Sequence, residues 1–440
     1  MGKLPLHWKI LIGMAIGATA GIAMQASGAF TTEELEHIAG YVKPVGDIFL
    51  RMVFMMVIPL VISALTLGIA ELGDLKKIGR IGVKAMSYFV LVTSFSVITG
   101  VAMVQIIRPG ESISDADRTK LVEKYAGKAA EKQEKAKEAK TKPFSEFLVS
   151  IVPKNPLEDM SRAFDPTYKG GGLLAVMFFA VMMGIAVAMT DEKKVAPLKG
   201  VLEGLYEVTL KIIGMAMQLA PYGVAALLFS LTATLGFSVI GIVIQYVFVV
   251  VAALAAQQFI TYPILVKVLG KMNPVDFFRQ TSEVMLTAFS TSSSQATLPT
   301  ALRVLNEKLK LPKEISNFVM TFGATANHNG TALYEGVTVL FLAQCFGIQL
   351  SIGQQITVVM MCIIAGFGVA SVPGGSLPMI VLVLNSMGIP GESIALIFGV
   401  DRILDMCRTT VNVTGDMSAA VFVCSSEAGN LEEVGTTQNQ

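Results

Sequence analysis

The sequence predicts an all-α polytopic membrane protein. Its 440 residues are 53% hydrophobic and only 15% charged, where a soluble domain averages roughly 25% charged residues. Mean hydropathy is +0.63. Apolar segments recur near 9–28, 46–72, 82–106, 172–190, 209–230, 236–266, 315–346, 354–389 and 391–424, and a helical span needs roughly 20 such residues. Several of these segments carry polar clusters at their centres, where burial is costly and usually functional. A net charge of +1 gives no basis for a nucleic-acid partner.

The first segment, "MGKLPLHWKILIGMAIGATAGIAM", shares with a secretory signal the lysines Lys3 and Lys9 ahead of an apolar run. The many spans that follow favour a retained first helix. Short basic loops at 74–84, 191–199, 267–279 and 303–314 separate the apolar segments. The positive-inside rule puts these loops and both termini in the cytoplasm, provided two later segments enter and leave on one side. Residues 109–145 form a strongly polar insertion, predicted to lie outside, whose Glu and Lys spacing suits a solvated helix or a disordered segment equally. Cys345, Cys362, Cys407 and Cys424 lie in apolar stretches without paired spacing and read as core thiols.

The pattern changes after residue 280. "MLTAFSTSSSQATLPTAL" (285–302) and "IIAGFGVASVPGGSLPMIV" (363–381) concentrate Ser, Thr, Gly and Pro between short apolar arms. Arms of this length suit re-entrant hairpins, whose non-helical tips must be buried or line a cavity. Ser293 precedes Asn327 by 34 positions, and Gly374 precedes Arg408 by 34. Each half therefore reads as a hairpin followed by a span with a polar centre, the inverted-repeat pattern of secondary transporters.

The last span holds "DRILDMCRTTVNVTGD" (401–416). On a helix, Asp405, Arg408, Thr409, Asn412 and Asp416 fall within an arc of about 100°. Arg408 can grip a carboxylate with its planar fork, and Asp405 can accept an ammonium. Thr409 and Asn412 add hydrogen bonds. Asp416, with Asn412 and backbone carbonyls, makes a hard oxygen set suited to an alkali cation. A zwitterion with a second carboxylate, aspartate or glutamate, satisfies all of these groups. An internal Asp405–Arg408 ion pair that merely joins helices is the structural alternative.

"NHNGTALYEG", "TSSSQATLP", "VPGG" and "DMCRTTVNVTGD" resemble the signature motifs of the glutamate transporter family, the dicarboxylate/amino acid:cation symporters. The resemblance implies eight transmembrane helices plus two re-entrant hairpins, in an elevator-type homotrimer of the inner membrane. It divides the chain into scaffold parts at 1–72 and 146–232 and transport-domain parts at 73–108 and 233–427. The 109–145 insertion lies outside these, and a cytoplasmic tail occupies 428–440.

By the same resemblance, Arg408 binds the side-chain carboxylate, and Asp405, with Thr409, binds the amino group. Asn412, Ser293 and Ser294 hold the α-carboxylate with backbone donors from the tip around Val372 and Gly374, and Thr331 touches the substrate from the seventh span. A first sodium site takes Gly323, Asn327, Asn412 and Asp416. A second takes carbonyls around Thr325, Gly366, Phe367 and Val369. No resident cofactor is expected beyond these coupling ions.

The chain departs from the family in three places. Where members read Asn-Met-Asp-Gly-Thr, this sequence has Asn327, His328, Asn329, Gly330 and Thr331. Asn329 removes the carboxylate of a third sodium site, although Thr93 and Ser94 still match it; Val90 stands where a tyrosine is expected, with Tyr88 nearby. The second arginine usual in members is replaced by Ser292 and Met406, leaving Arg408 as the one expected cation near the substrate. Glu335 stands where sodium-only archaeal relatives have glutamine, so Glu335, and secondarily His328, are candidate proton carriers. The expected activity is uptake of acidic amino acids with sodium, protons or both. A C4-dicarboxylate symporter and a sodium-independent, proton-coupled glutamate transporter are the alternatives. An intramembrane hydrolase finds no nucleophile elbow in the serine run.

Overall fold

The computed structural model describes residues 6–72, 80–126, 149, 152–163, 172–236, 238–367 and 375–437, and all regular structure among them is helical. The helices are α1 (Leu6–Ala26), α2 (Thr32–Phe54), α3 (Val57–Leu72), α4 (Arg80–Ile107), α5 (Asp115–Ala126), α6 (Pro156–Ser161), α7 (Gly172–Met189), α8 (Glu192–Leu235) and α9 (Ser238–Ala256). They continue with α10 (Tyr262–Val268), α11 (Pro274–Thr291), α12 (Ser294–Glu307), α13 (Lys313–Ala326), α14 (Asn329–Cys345), α15 (Ile352–Ala365), α16 (Leu377–Ser386) and α17 (Ala395–Thr437). Among the described residues, five helical stretches are long and apolar enough to cross a membrane: Trp8–Ala26, Glu33–Ala70, Arg80–Ser112, Glu192–Thr234 and Ile240–Val268.

Local signals explain several helix starts. Thr31 and Glu34 form a capping box: the Glu34 carboxylate accepts from the Thr31 amide at 2.8 Å, and the Thr31 hydroxyl from the Glu34 amide at 3.3 Å. Ser351 and Gln354 repeat the device at α15. Asn273 caps α11 with Pro274 just inside. Between α9 and α10 the helix widens into a π segment, Gln257–Thr261. Pro263 has no N–H to return to Phe259 and its ring would press on that carbonyl; the wider turn relieves the clash.

The helices fall into two packing groups. Helices α1, α2 and α3 pack on α7 and α8, while α4 and α9 to α15 gather around α14 and α17. The groups meet where α8 and α1 touch α17 and where α16 touches α2, α3 and α7. The 109–145 insertion begins with an ordered 3-10 turn, Pro109–Ser112, and α5, whose Leu121 is fully buried; residues 127–148 lie outside the described part. The four cysteines are free thiols, with Cys345, Cys362 and Cys424 buried and Cys407 partly so.

Close approach of α1 to α8 depends on glycine. A Cβ at Gly17 would sit 2.2 Å from the Ala225 carbonyl oxygen, and one at Gly13 2.2 Å from that of Pro221. Small residues allow this contact between membrane helices, where packing rather than the hydrophobic effect drives association. Gly17→Val should force the helices apart at a cost of about 1–3 kcal/mol. The expected result is a lower melting midpoint in detergent; an unchanged midpoint would contradict the close contact.

Candidate functional site

The 315–346 segment is two helices, not one. Helix α13 ends at Ala326, Asn327 is extended (φ −119°, ψ 100°), and α14 starts at Asn329 after His328 (φ −122°, ψ 52°). A break inside a membrane exposes unpaired amides of the second half-helix, which need partners. Asn412 on α17 supplies them: its Oδ1 accepts from the Gly330 amide at 2.8 Å and the Thr331 amide at 3.3 Å. Its Nδ2 donates to the Thr331 hydroxyl at 3.0 Å. Gly330 permits the approach, since a Cβ there would meet the Arg408 carbonyl oxygen at 2.8 Å.

One turn away on α17, Arg408 is 2% exposed. Its Nη1 contacts Asp401 Oδ1 at 2.9 Å and its Nη2 contacts Asp405 Oδ1 at 2.9 Å. The guanidinium carbon lies 4.3 Å from the centre of the Tyr334 ring, whose hydroxyl donates to Asp401 Oδ1 at 2.7 Å. Arg402 Nη1 reaches Asp405 Oδ2 at 3.3 Å. Arg408 is therefore not the one cation here; Arg402, three residues before Asp405, is the second. Thr409 is buried on the same helix.

The last member of the α17 stripe, Asp416, is completely buried. Its Oδ1 accepts from Asn327 Nδ2 at 2.7 Å, while its Oδ2 has no hydrogen-bond partner. A Cβ at Gly323 would stand 2.4 Å from Oδ1, so only glycine leaves this space. A free carboxylate oxygen in a cradle without a side chain fits a hard cation. Thr93 reaches Asn327 Oδ1 at 3.5 Å. The Ser94 hydroxyl instead turns onto its own helix, donating to the Val90 carbonyl at 2.7 Å, and Ser96 takes the neighbouring contact, to the Asn329 carbonyl at 3.1 Å. Both polar atoms of the Asn329 side chain are buried without a hydrogen bond. Asn329 thus brings a neutral amide, and no negative charge, to this spot.

The Ser-rich stretch is the turn of a helical hairpin. Ser292 takes the left-handed conformation (φ 50°), Ser293 caps α12 by accepting from the Ala296 amide at 3.2 Å, and Ser294 is buried. Glu283 on α11 pairs with Arg303 on α12 and with Lys308 just past its end, so the two arms run antiparallel. Thr325 is partly buried, its hydroxyl on the Thr321 carbonyl at 3.3 Å. Gly366 and Phe367 close α15. Val369, Val372 and Gly374 lie outside the described residues. His328 is buried, with Nδ1 3.0 Å from the Gly366 carbonyl oxygen. Glu335 is completely buried, and neither carboxyl oxygen has a hydrogen-bond partner.

Sequence reasoning missed Asp401, Arg402, Tyr334 and Ser96. A signal for Asp401 was present: it stands four residues before Asp405, which extends the α17 stripe by one turn. Tyr334 follows Thr331 by three residues on α14 and shares its face.

Comparison with known proteins places this geometry. The chain matches the sodium:dicarboxylate symporter family over residues 6–426. It is 34% identical to the proton/sodium-glutamate symport protein of Bacillus caldotenax, covering 99% of this chain and 97% of that protein. Identity to the proton/glutamate-aspartate symporter of Escherichia coli (strain K12) is 31%, over 97% of this chain and 93% of the relative. It is 30% to excitatory amino acid transporter 3 of Mus musculus, over 97% and 87%.

Removing one partner of a buried ion pair typically costs about 3–5 kcal/mol. Asp401→Ala leaves Arg408 its Asp405 contact, so a loss near the lower end, about 3 kcal/mol, is expected as a reduced melting midpoint. Asp401→Asn, which keeps an acceptor, should lose less. Wild-type melting of Asp401→Ala would mean that the Asp401–Arg408 pair within α17 adds nothing to stability. With its buried charge cluster on α17 set against the break between α13 and α14, and a match spanning nearly its whole length, the chain belongs to the sodium:dicarboxylate symporter family, a family of transporters and not of enzymes.

Proposed function

We propose that the protein is a secondary active symporter that takes up glutamate or aspartate together with sodium, protons or both. The observation that carries this reading is the buried Arg408, held between carboxylates beside a break in the neighbouring helix. Arg408 grips the substrate's side-chain carboxylate, and Asp405 with Thr409 receives the ammonium. Asn412, Ser293, Ser294 and the tip around Val372 and Gly374 take the α-carboxylate, and Thr331 contacts the substrate from α14. Asp405 favours an amino acid over a plain dicarboxylate, because an ionised carboxylate repels succinate. The relatives named above, a glutamate and a glutamate-aspartate symporter, support the same substrate class.

The charges of Asp401, Asp405, Arg402 and Arg408 cancel, whereas an acidic amino acid adds a negative charge and Asp416 another. Loading the site inside a membrane therefore calls for cations. Asp416, Asn327, Gly323 and Asn412 hold one sodium. The Thr93, Ser94 and Asn329 position is too weakly anionic for another. Glu335 carries the proton: an enclosed carboxyl with no partner is stable in its neutral form, and it releases the proton once water reaches it.

In this reading α1 to α3 with α7 and α8 form a scaffold that assembles as a homotrimer in the inner membrane, both termini cytoplasmic. The helices around α14 and α17, with the α11–α12 and α15–α16 hairpins as re-entrant gates, move as the elevator. The two packing groups support that division.

Uptake of labelled glutamate into proteoliposomes under separate sodium and proton gradients tests the reading. The expected result is uphill uptake driven by sodium and increased by an inward proton gradient, with aspartate competing far better than succinate. Glu335→Gln should lose the proton-gradient effect and keep sodium-driven uptake. Arg408→Ala should weaken substrate affinity on the order of 10–100-fold, as expected for one lost charge-assisted pair. Steep sodium dependence without any proton effect, in wild type and Glu335→Gln alike, would sink the proton half. Complete sodium independence would remove Asp416 from coupling.

A further inference from the structure

His328 is one of two residues, with Asn327, that lie in neither α13 nor α14, and its ring reaches out of the break to a different helix. Its Nδ1 lies 3.0 Å from the carbonyl oxygen of Gly366, the residue that ends α15. A carbonyl oxygen only accepts, so Nδ1 carries the hydrogen and the ring is a donor. The last carbonyls of a helix have no intrahelical partner, and the helix dipole makes that end attractive to positive charge. A buried carbonyl there needs either a donor or a cation. Here it has a donor, supplied by the chain itself on a ring that is almost wholly enclosed. The next carbonyl, that of Phe367, faces α3: a Cβ on Gly68 would come within 2.9 Å of its oxygen. Of the oxygens expected to make the second sodium site, that of Gly366 is thus already taken by a donor of the chain itself.

We propose that the His328 side chain is a built-in substitute for the second coupling cation: its Nδ1–H satisfies the Gly366 carbonyl and ties the helix break to the end of α15, so transport proceeds with no sodium at that position. This rests on the symporter reading above. His328 is thus a positioning residue that sets how many sodium ions accompany each substrate. It follows that a side chain of similar length without a donor would uncover the carbonyl and open the place to sodium, whereas a shorter amide that still donates would not.

The test is sodium-dependent melting of the purified full chain in detergent, with choline balancing ionic strength, for wild type, His328→Met and His328→Asn. A ligand that binds only the folded state raises its stability in proportion to the logarithm of occupancy. His328→Met should gain a sodium-dependent rise in midpoint that exceeds the wild-type rise, and His328→Asn should track wild type. Initial uptake of glutamate read on the same proteins should show a Hill coefficient for sodium roughly one unit higher in His328→Met. Identical sodium dependence in all three proteins overturns the proposal. If His328→Met does not fold, the ratio of sodium to substrate from the wild-type reversal potential decides: a single sodium supports the proposal and two or more overturn it. Absence of glutamate and aspartate uptake in wild type would refute the symporter reading separately, because the melting comparison needs no transport.

Discussion

The structure depends on holding one guanidinium, that of Arg408, deep inside a bundle of apolar helices. A single buried charge at this depth is costly, and the surroundings are arranged to meet the cost: Asp401 and Asp405 at 2.9 Å, Tyr334 beneath the plane, and Arg402 on the far oxygen of Asp405. Two carboxylates and two guanidinium groups leave the cluster neutral overall, with its charges paired among themselves. That is the property a binding site needs. A site whose charges are already paired can release one pair when a better-matched ligand arrives, without leaving a bare charge in the interior.

The break between α13 and α14 follows from the same constraint. Interrupting a helix inside a membrane is tolerated only if the freed amides and carbonyls find partners. Asn412 takes two amides, Asn327 turns its side chain to Asp416, and His328 takes the Gly366 carbonyl. These contacts tie residues 327–331 to α17 through Asn412 and Asp416 and to the end of α15 through Gly366. The break is therefore the junction where α13, α14, α15 and α17 are held in fixed relation.

Much of this was legible in the sequence, because burial and helical periodicity constrain α17 strongly. Asp405, Arg408, Asn412 and Asp416 recur at helical spacing, and all four prove buried on one helix. The polar, glycine-containing "NHNGT" stands at the break. What escaped were partners that periodicity cannot assign. Tyr334 looks like any core aromatic until the guanidinium is seen over it, and Arg402 lies off the stripe yet bends back to Asp405. Ser94 and Ser96 differ by two positions on α4, and only the packing of α4 against α14 decides that the second faces Asn329 while the first bonds its own helix.

The central claim is that this stripe binds an acidic amino acid and that a cation at Asp416 assists it. Isothermal titration of glutamate and aspartate into the purified protein, with sodium and with choline in its place, tests that claim most directly. The account predicts binding that strengthens with sodium and is weakened on the order of 10–100-fold in Arg408→Ala, while Asp416→Asn abolishes the sodium effect. Binding of equal strength in Arg408→Ala, or tighter binding of succinate than of either amino acid, would contradict it.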